Sequence, residues 1–128
     1  LEGIILKPSM VISGDTCESQ ADPDLVAEMT VKCLKATVPV NVPGCAFLSG
    51  GQCDVDATVH LNLMNKNYDL PWNLTFSYGR ALQHPAIMSW KGKKENVKTS
   101  QEILFHRSMV NGLASMGEYN SSMEDKVS

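Results

Sequence analysis

Short apolar runs alternate along the chain with longer stretches in which apolar residues return every three or four positions. The first run, Ile4-Ile5-Leu6, ends on Lys7 and is followed by Pro8. A run of aliphatic, β-branched residues stopped by a breaker predicts a buried strand. Leu25, Val26, Met29, Cys33 and Leu34 then fall on one helical stripe. Asp22 before Pro23 predicts where that helix starts, because Asp caps free N–H groups and Pro suits the first helical position. Pro39 predicts where it stops. Cys45-Ala46-Phe47-Leu48 predicts a second strand, which runs into Ser49-Gly50-Gly51-Gln52. Val55, Val59 and Leu63, flanked by Ala57, Leu61 and Met64, predict a helix over 54–64. Asn73-Leu74-Thr75-Phe76 predicts a third strand, which runs into Ser77-Tyr78-Gly79-Arg80. A short helix is expected from Arg80 past Pro85 toward Trp90, broken by the solvated turn Lys91-Gly92-Lys93-Lys94. A last helix is expected over 95–115, with Val97, Ile103, Leu104, Val110 and Leu113 in the core. The tail from Gly117 is polar and is expected to fray.

This order of strands and helices predicts an α/β protein with parallel strands and helical crossovers. All three strands read as apolar runs, as expected when both faces are buried. Three such units are either half of a doubly wound sheet or a section of a (β/α)8 barrel. Alone, they would leave two open sheet edges.

Composition narrows the function classes. The chain has 128 residues, enough for one core, and a net charge of -3. That charge gives no case for binding nucleic acid or an anionic membrane. No apolar run approaches the ~20 residues that span a bilayer. The chain opens on Leu1, directly before a strand and with no secretory leader, which suggests a piece of a longer protein. Cys17, Cys33, Cys45 and Cys53 form no Cys-x-x-Cys pair and stand at no zinc-finger spacing from a histidine. Cys33 and Cys45 are expected in the core. No disulfide framework, metal or cofactor is expected, and the compartment reads as reducing and cytoplasmic. The sequons at Asn73 and Asn120 are taken as incidental.

The polar residues that end the strands carry the candidate chemistry. Active sites of α/β proteins form beyond the carboxyl ends of parallel strands. Lys7 at such an end has two readings. Desolvated, it would lose its proton more readily and attack a carbonyl or contact a phosphate. Otherwise it is a strand-end lysine with its head in water. Ser49, Gly50 and Gly51 form a turn whose glycines let backbone approach an anion closely. Ser77, Gly79 and Arg80 form a second such turn, and Arg80 can fork onto phosphate oxygens. Asp54 and Asp56 fit helix-dipole stabilisation. His60, His84 and His106 share no motif with Lys7 and are expected to be packing or surface residues.

At these positions LEGIILKPSMV, FLSGGQ, LTFSYGRALQHPA and SWKGKKENVKTSQE resemble, in order and spacing, the class I fructose-1,6-bisphosphate aldolases. The resemblance runs from Leu1 to about Tyr119. It implies the last three strand–helix units and the C-terminal helix of a (β/α)8 barrel, so that 1–128 is an incomplete domain. It implies that Lys7 is the Schiff-base lysine and that Ser49, Gly50, Gly51, Ser77, Gly79 and Arg80 hold substrate phosphates. Glu2 matches a strand glutamate and takes no catalytic role. The family's acid/base carboxylates lie upstream of the matched region, so this chain alone is expected to be inactive. Sugar-phosphate substrates, a homotetramer when full length and actin binding are the implied partners. The alternative is a non-catalytic, aldolase-derived interaction chain.

Overall fold

A computed structural model describes residues 1–126. Three parallel strands, β1 (Ile5–Leu6), β2 (Gly44–Phe47) and β3 (Asn73–Phe76), stand side by side in that order. They alternate with α1 (Pro23–Thr37), α2 (Asp54–Asn67) and α3 (Arg80–Trp90). A 3-10 turn, Lys94–Asn96, leads into α4 (Val97–Ala114), and a second, Ser121–Lys126, follows it. The α/β class and the parallel sheet are as the alternation predicts. So are the start of α1, where the Asp22 carboxylate accepts from the Leu25 N–H at 2.8 Å, and the break after α3, where Lys91 adopts a left-handed φ of 55°. Among the described residues no helix is long and apolar enough to cross a membrane.

Burial departs from the expectation in three places. First, only β2, flanked by strands on both sides, is nearly dry throughout. Ile5 of β1 is 72% exposed, and Ile4 and Leu6 are exposed as well. The apolar run forms a strand, but it lies at the sheet edge, where the described residues leave its side chains exposed.

Second, the stripe of α1 is rotated. Val26, Ala27, Thr30, Val31 and Leu34 are buried, while Leu25, Met29 and Cys33 face out. Cys45 lies in the core as expected. Thr30 is inside because its Oγ1 accepts from the Val11 N–H at 2.9 Å, which ties α1 to the segment after β1.

Third, the inner face of α4 is polar. His106, Arg107, Val110, Asn111 and Ala114 are buried there, and Val97 and Leu104 are exposed. Arg107 is the reason. Its Nη2 donates to the Asp54 carbonyl at 3.0 Å and to Thr58 Oγ1 at 2.6 Å, both on α2. Its Nη1 donates to Glu124 Oε2 at 2.5 Å. A buried cation needs such partners, so it draws polar groups inward.

That cation also holds the tail, which does not fray over its described part. Gly117, at φ 73°, ends α4 with its N–H on the Ala114 carbonyl, and the Glu118 N–H returns to Leu113. The chain there abuts Lys66 of α2 so closely that a Cβ on Gly117 would meet the Lys66 Cα at 3.0 Å. The Tyr119 N–H donates to Asn62 Oδ1 at 3.0 Å, and its hydroxyl to Glu124 Oε1 at 2.9 Å. His106 Nε2 lies 3.4 Å from Glu124. Val127 and Ser128, which the fraying expectation included, lie outside the described residues.

Burial alone would raise the Glu124 carboxyl, but the hydrogen bonds from Arg107 and Tyr119, with the Arg107 charge and His106, outweigh it and hold the group below the usual carboxylate range. A depressed carboxyl stabilises above its unfolded value, about 4.3, and loses that contribution as pH falls through the folded value. Hydrogen-exchange protection factors over 118–125 in the full-length protein should therefore stay high at neutral pH and fall below about pH 4. Glu124→Ala should destabilise on the order of 2 kcal/mol by urea denaturation. That is less than for a fully orphaned charge, because Asp54 Oδ2 still lies 3.7 Å from Arg107 Nε.

Candidate functional site

Parallel pairing brings all three strand ends to one edge. Beyond the last paired residues, the Leu48 N–H donates to the Pro8 carbonyl at 3.0 Å and the Ser77 N–H to the Phe47 carbonyl at 2.8 Å. Lys7, Ser49 and Ser77 are thus the first polar residues past the three strands, on one edge of the sheet.

After β2 the chain turns sharply. The Gln52 N–H donates to the Ser49 carbonyl at 3.0 Å. The two residues between, Gly50 and Gly51, have φ of 60° and 84°. Both lie where a side chain is disfavoured, as in a type I′ turn. Ser49 is buried beneath the turn, and Gly50 and Gly51 are exposed above it. The next residue, Cys53, caps α2 with its Sγ, which accepts from the Asp56 N–H at 3.5 Å.

After β3 the turn is held by Tyr78, whose buried hydroxyl donates to the Ala57 carbonyl of α2 at 2.8 Å. Burial pushes that phenol well above its ordinary value, so it remains a donor. Its ring packs on Phe76 with centroids 5.6 Å apart. Gly79 then opens α3 with no side chain to cap it. In the first turn of α3 the Leu82 N–H donates to the Gly79 carbonyl at 3.1 Å, and no side chain caps the N–H groups before it.

The two turns meet. A Cβ built on Gly51 would lie 3.8 Å from Arg80 Nη2 and 4.0 Å from Nη1, so the guanidinium lies against the glycine turn. Gly51, Gln52, Cys53, Asp54, Arg80 and His84 are among the residues that line one open cavity of about 310 Å³. A planar cation, a glycine turn and an uncapped helix start converge there. Chemically this is a place for an anion with several oxygens. Behind the same turn a second cavity of about 310 Å³ is lined by Ser13, Asp15, Gln52, Cys53, Asp56 and His60. His60 is buried, which lowers its proton affinity, and Asp56 offsets part of that.

Of the expected site residues, Gly51 and Arg80 are brought together, with Gly50 in the same turn and Gly79 at the start of the helix that carries Arg80. Ser77 is exposed beside them. Lys7 stands on the same edge but on the outer strand, with its side chain exposed. Of its two readings, the one with its head in water holds among the described residues, where β1 has a neighbour only on its β2 side. Of the histidines, His84 is on the surface, whereas His60 and His106 are buried with polar partners. The anchoring roles of Tyr78 and Gln52 were missed. The only sequence signal for Tyr78 was an aromatic residue lodged between two small ones at a strand end. Among the described residues no group of three or more metal-ligating side chains is gathered.

Comparison with known proteins gives this geometry a setting. A family model described as "Fructose-bisphosphate aldolase class-I" (Glycolytic) matches residues 1–128. A probable fructose-bisphosphate aldolase class 1 of Xylella fastidiosa is 53% identical over 120 residues, which is 93% of this chain and 36% of that protein. The muscle-type fructose-bisphosphate aldolase of Lethenteron camtschaticum is 52% identical over 93% of this chain and 33% of its own length. A chloroplastic fructose-bisphosphate aldolase of rice is 48% identical over 96% of this chain and 31% of its own length. A solved structure of the Plasmodium falciparum fructose-bisphosphate aldolase, in complex with TRAP and a small-molecule inhibitor, superposes with a TM-score of 0.87 at 46% identity. It covers 91% of this chain, which in turn covers 34% of that one. The chain thus spans about a third of the length of the curated relatives it matches. With the family matched from its first residue to its last, the chain belongs to the class I fructose-bisphosphate aldolases.

Proposed function

We propose that the full-length protein containing this chain is a fructose-bisphosphate aldolase of the Schiff-base type. It would reversibly cleave fructose 1,6-bisphosphate to dihydroxyacetone phosphate and glyceraldehyde 3-phosphate in glycolysis. The observation that carries this reading is the Arg80 guanidinium laid against the Gly51 turn, on the sheet edge where Lys7 also ends its strand. A phosphate seated there would take N–H groups from the Gly50–Gly51 turn and from the start of α3 at Gly79, hydroxyls from Ser49 or Ser77, and two N–H groups from Arg80. Such an anchor fixes the substrate's carbon chain relative to Lys7. The Lys7 amine would attack the ketone carbon, and the ketone oxygen would leave as water. The resulting protonated imine would take up the electron pair of the breaking carbon–carbon bond.

The rest of the protein is part of the proposal. Residues 1–128 would be the C-terminal part of a (β/α)8 barrel, and the groups that move protons would come from the preceding part. The exposed Ile4, Ile5 and Leu6 mark the edge where a further strand would pair and bury the Lys7 stem. We extend the reading to a reducing, cytoplasmic setting, a homotetramer and binding to actin. The exposed apolar residues of α3 and α4, among them Ile87, Met88 and Phe105, favour assembly. They equally suit the non-catalytic alternative, an interaction chain.

Borohydride added to the full-length protein with dihydroxyacetone phosphate should leave a covalent adduct on Lys7, located by peptide mass spectrometry. An unmodified Lys7 in a folded protein would sink the reading. Arg80→Ala should raise KM for fructose 1,6-bisphosphate about 10- to 100-fold, the loss expected when charge-assisted hydrogen bonds to an anion are removed. Steady-state kinetics would check it, and a KM within twofold of wild type would remove Arg80 from the phosphate site.

A further inference from the structure

The turn that holds Gly50 and Gly51 has little of its own to keep it in shape. Two successive glycines at positive φ have no side chains to pack, and glycine loses more freedom on ordering than any other residue. The turn is closed by the Gln52 N–H on the Ser49 carbonyl. What keeps Gln52 in place therefore keeps the turn in place.

His60 does this from α2. Its Nδ1 lies 2.6 Å from Gln52 Oε1. The amide oxygen is an acceptor, so Nδ1 carries the proton and donates. His60 is 6% exposed, and Gln52 is half-buried between the two cavities. Gly51, Gln52 and Cys53 line both cavities, Arg80 lines the front one, and His60, Ser13 and Asp15 line the rear one. Asp56, one turn earlier on α2, lines the same rear cavity as His60. A buried imidazole with a short hydrogen bond to the side chain of the residue whose backbone closes the turn is a brace placed one residue away from the anion's expected seat.

We infer that His60 is a positioning residue, which through Gln52 holds the Ser49–Gly50–Gly51 turn in the shape that receives the substrate's phosphate. The inference rests on the phosphate-site reading above and adds to it the residue that makes the turn rigid before the ligand arrives. Preorganisation of this kind strengthens binding by removing an ordering cost, without any contact between His60 and the phosphate. Because phosphate is held alike in the bound substrate and in the transition state, its loss appears in KM and leaves kcat nearly unchanged.

The test uses the full-length protein, inorganic phosphate as the binding probe and fructose 1,6-bisphosphate as the substrate. His60→Phe keeps the ring volume and removes the donor. His60→Asn returns an N–H close to the position of Nδ1. Gln52→Leu removes the acceptor on a half-buried residue, so it reports even if the His60→Phe protein does not fold. By calorimetry, His60→Phe and Gln52→Leu should each weaken phosphate binding about three- to tenfold, the range of one lost hydrogen bond. Their KM should rise by a similar factor with kcat within about twofold, the double variant should be no worse than either single one, and His60→Asn should behave nearly as wild type. Unchanged phosphate affinity and KM in His60→Phe or Gln52→Leu would overturn the inference. So would a fall in kcat at constant KM, the mark of a lost folded fraction. Arg80→Ala separates the two levels. If it abolishes phosphate binding while His60→Phe does not weaken it, the phosphate site stands and the brace falls. A wild-type protein that binds no phosphate overturns both.

Discussion

The parallel hydrogen bonding of β2 to both of its neighbours is the constraint on which the rest depends. Phe47 and Leu48 illustrate it. The carbonyl of the first accepts from Ser77 on one side, and the N–H of the second donates to Pro8 on the other. The backbone ladder therefore continues past the strands and brings three polar segments, separated by long stretches of chain, to one edge. Antiparallel pairing would send alternate segments to opposite edges and leave no shared site.

α2 is the second organising element, because it starts directly after the glycine turn and supports nearly everything around it. Its Ala57 carbonyl takes the Tyr78 hydroxyl and so fixes the turn after β3. His60 takes Gln52 and so braces the turn after β2. Its N-terminal residues Asp54 and Thr58 take the buried Arg107 of α4, and Asn62 takes the backbone of Tyr119. The candidate anion site, the last helix and the described tail are therefore all referred to one rigid body. Hydrogen bonds make most of these links, and a buried polar network of this kind specifies one arrangement because each member left unpaired would be costly.

Lys7 shows where this chain's own structure stops determining the chemistry. The edge strand carries it to the same sheet edge as the two turns, yet leaves it in water. A lysine that is to act on a carbonyl at neutral pH gains from desolvation or from a neighbouring cation. Relatives about three times as long have the chain needed to cover β1. The two turns proposed to hold phosphate, by contrast, rest on β2, β3, α2 and the start of α3, all present here.

Much of this was legible in the sequence because it rests on short-range rules. Asp22-Pro23 starts α1, Pro39 and Lys91-Gly92 mark breaks, and the apolar runs mark three strands at nearly their observed positions. Gly50-Gly51 announces a turn that only glycine accommodates, and Arg80 after Gly79 announces a cation at a helix start. These signals are local, so a linear reading finds them. Burial was not local. Ile5 is as apolar as a core residue yet lies at an open edge, and Leu25 and Leu104 sit one helical position away from the faces that pack. The buried face of α4 was invisible as a stripe because it is built on Arg107, whose partners Asp54 and Thr58 are distant in sequence. For the same reason the tail, polar by composition, is pinned by Glu124. The sequence by itself determined the three strands and four α-helices, their order and the polar residues at the strand ends, since those follow from neighbours along the chain. Only the tertiary structure decided which faces are dry, that Arg80 meets Gly51 and that His60 stands behind the turn, since those depend on groups that packing brings together across the sheet.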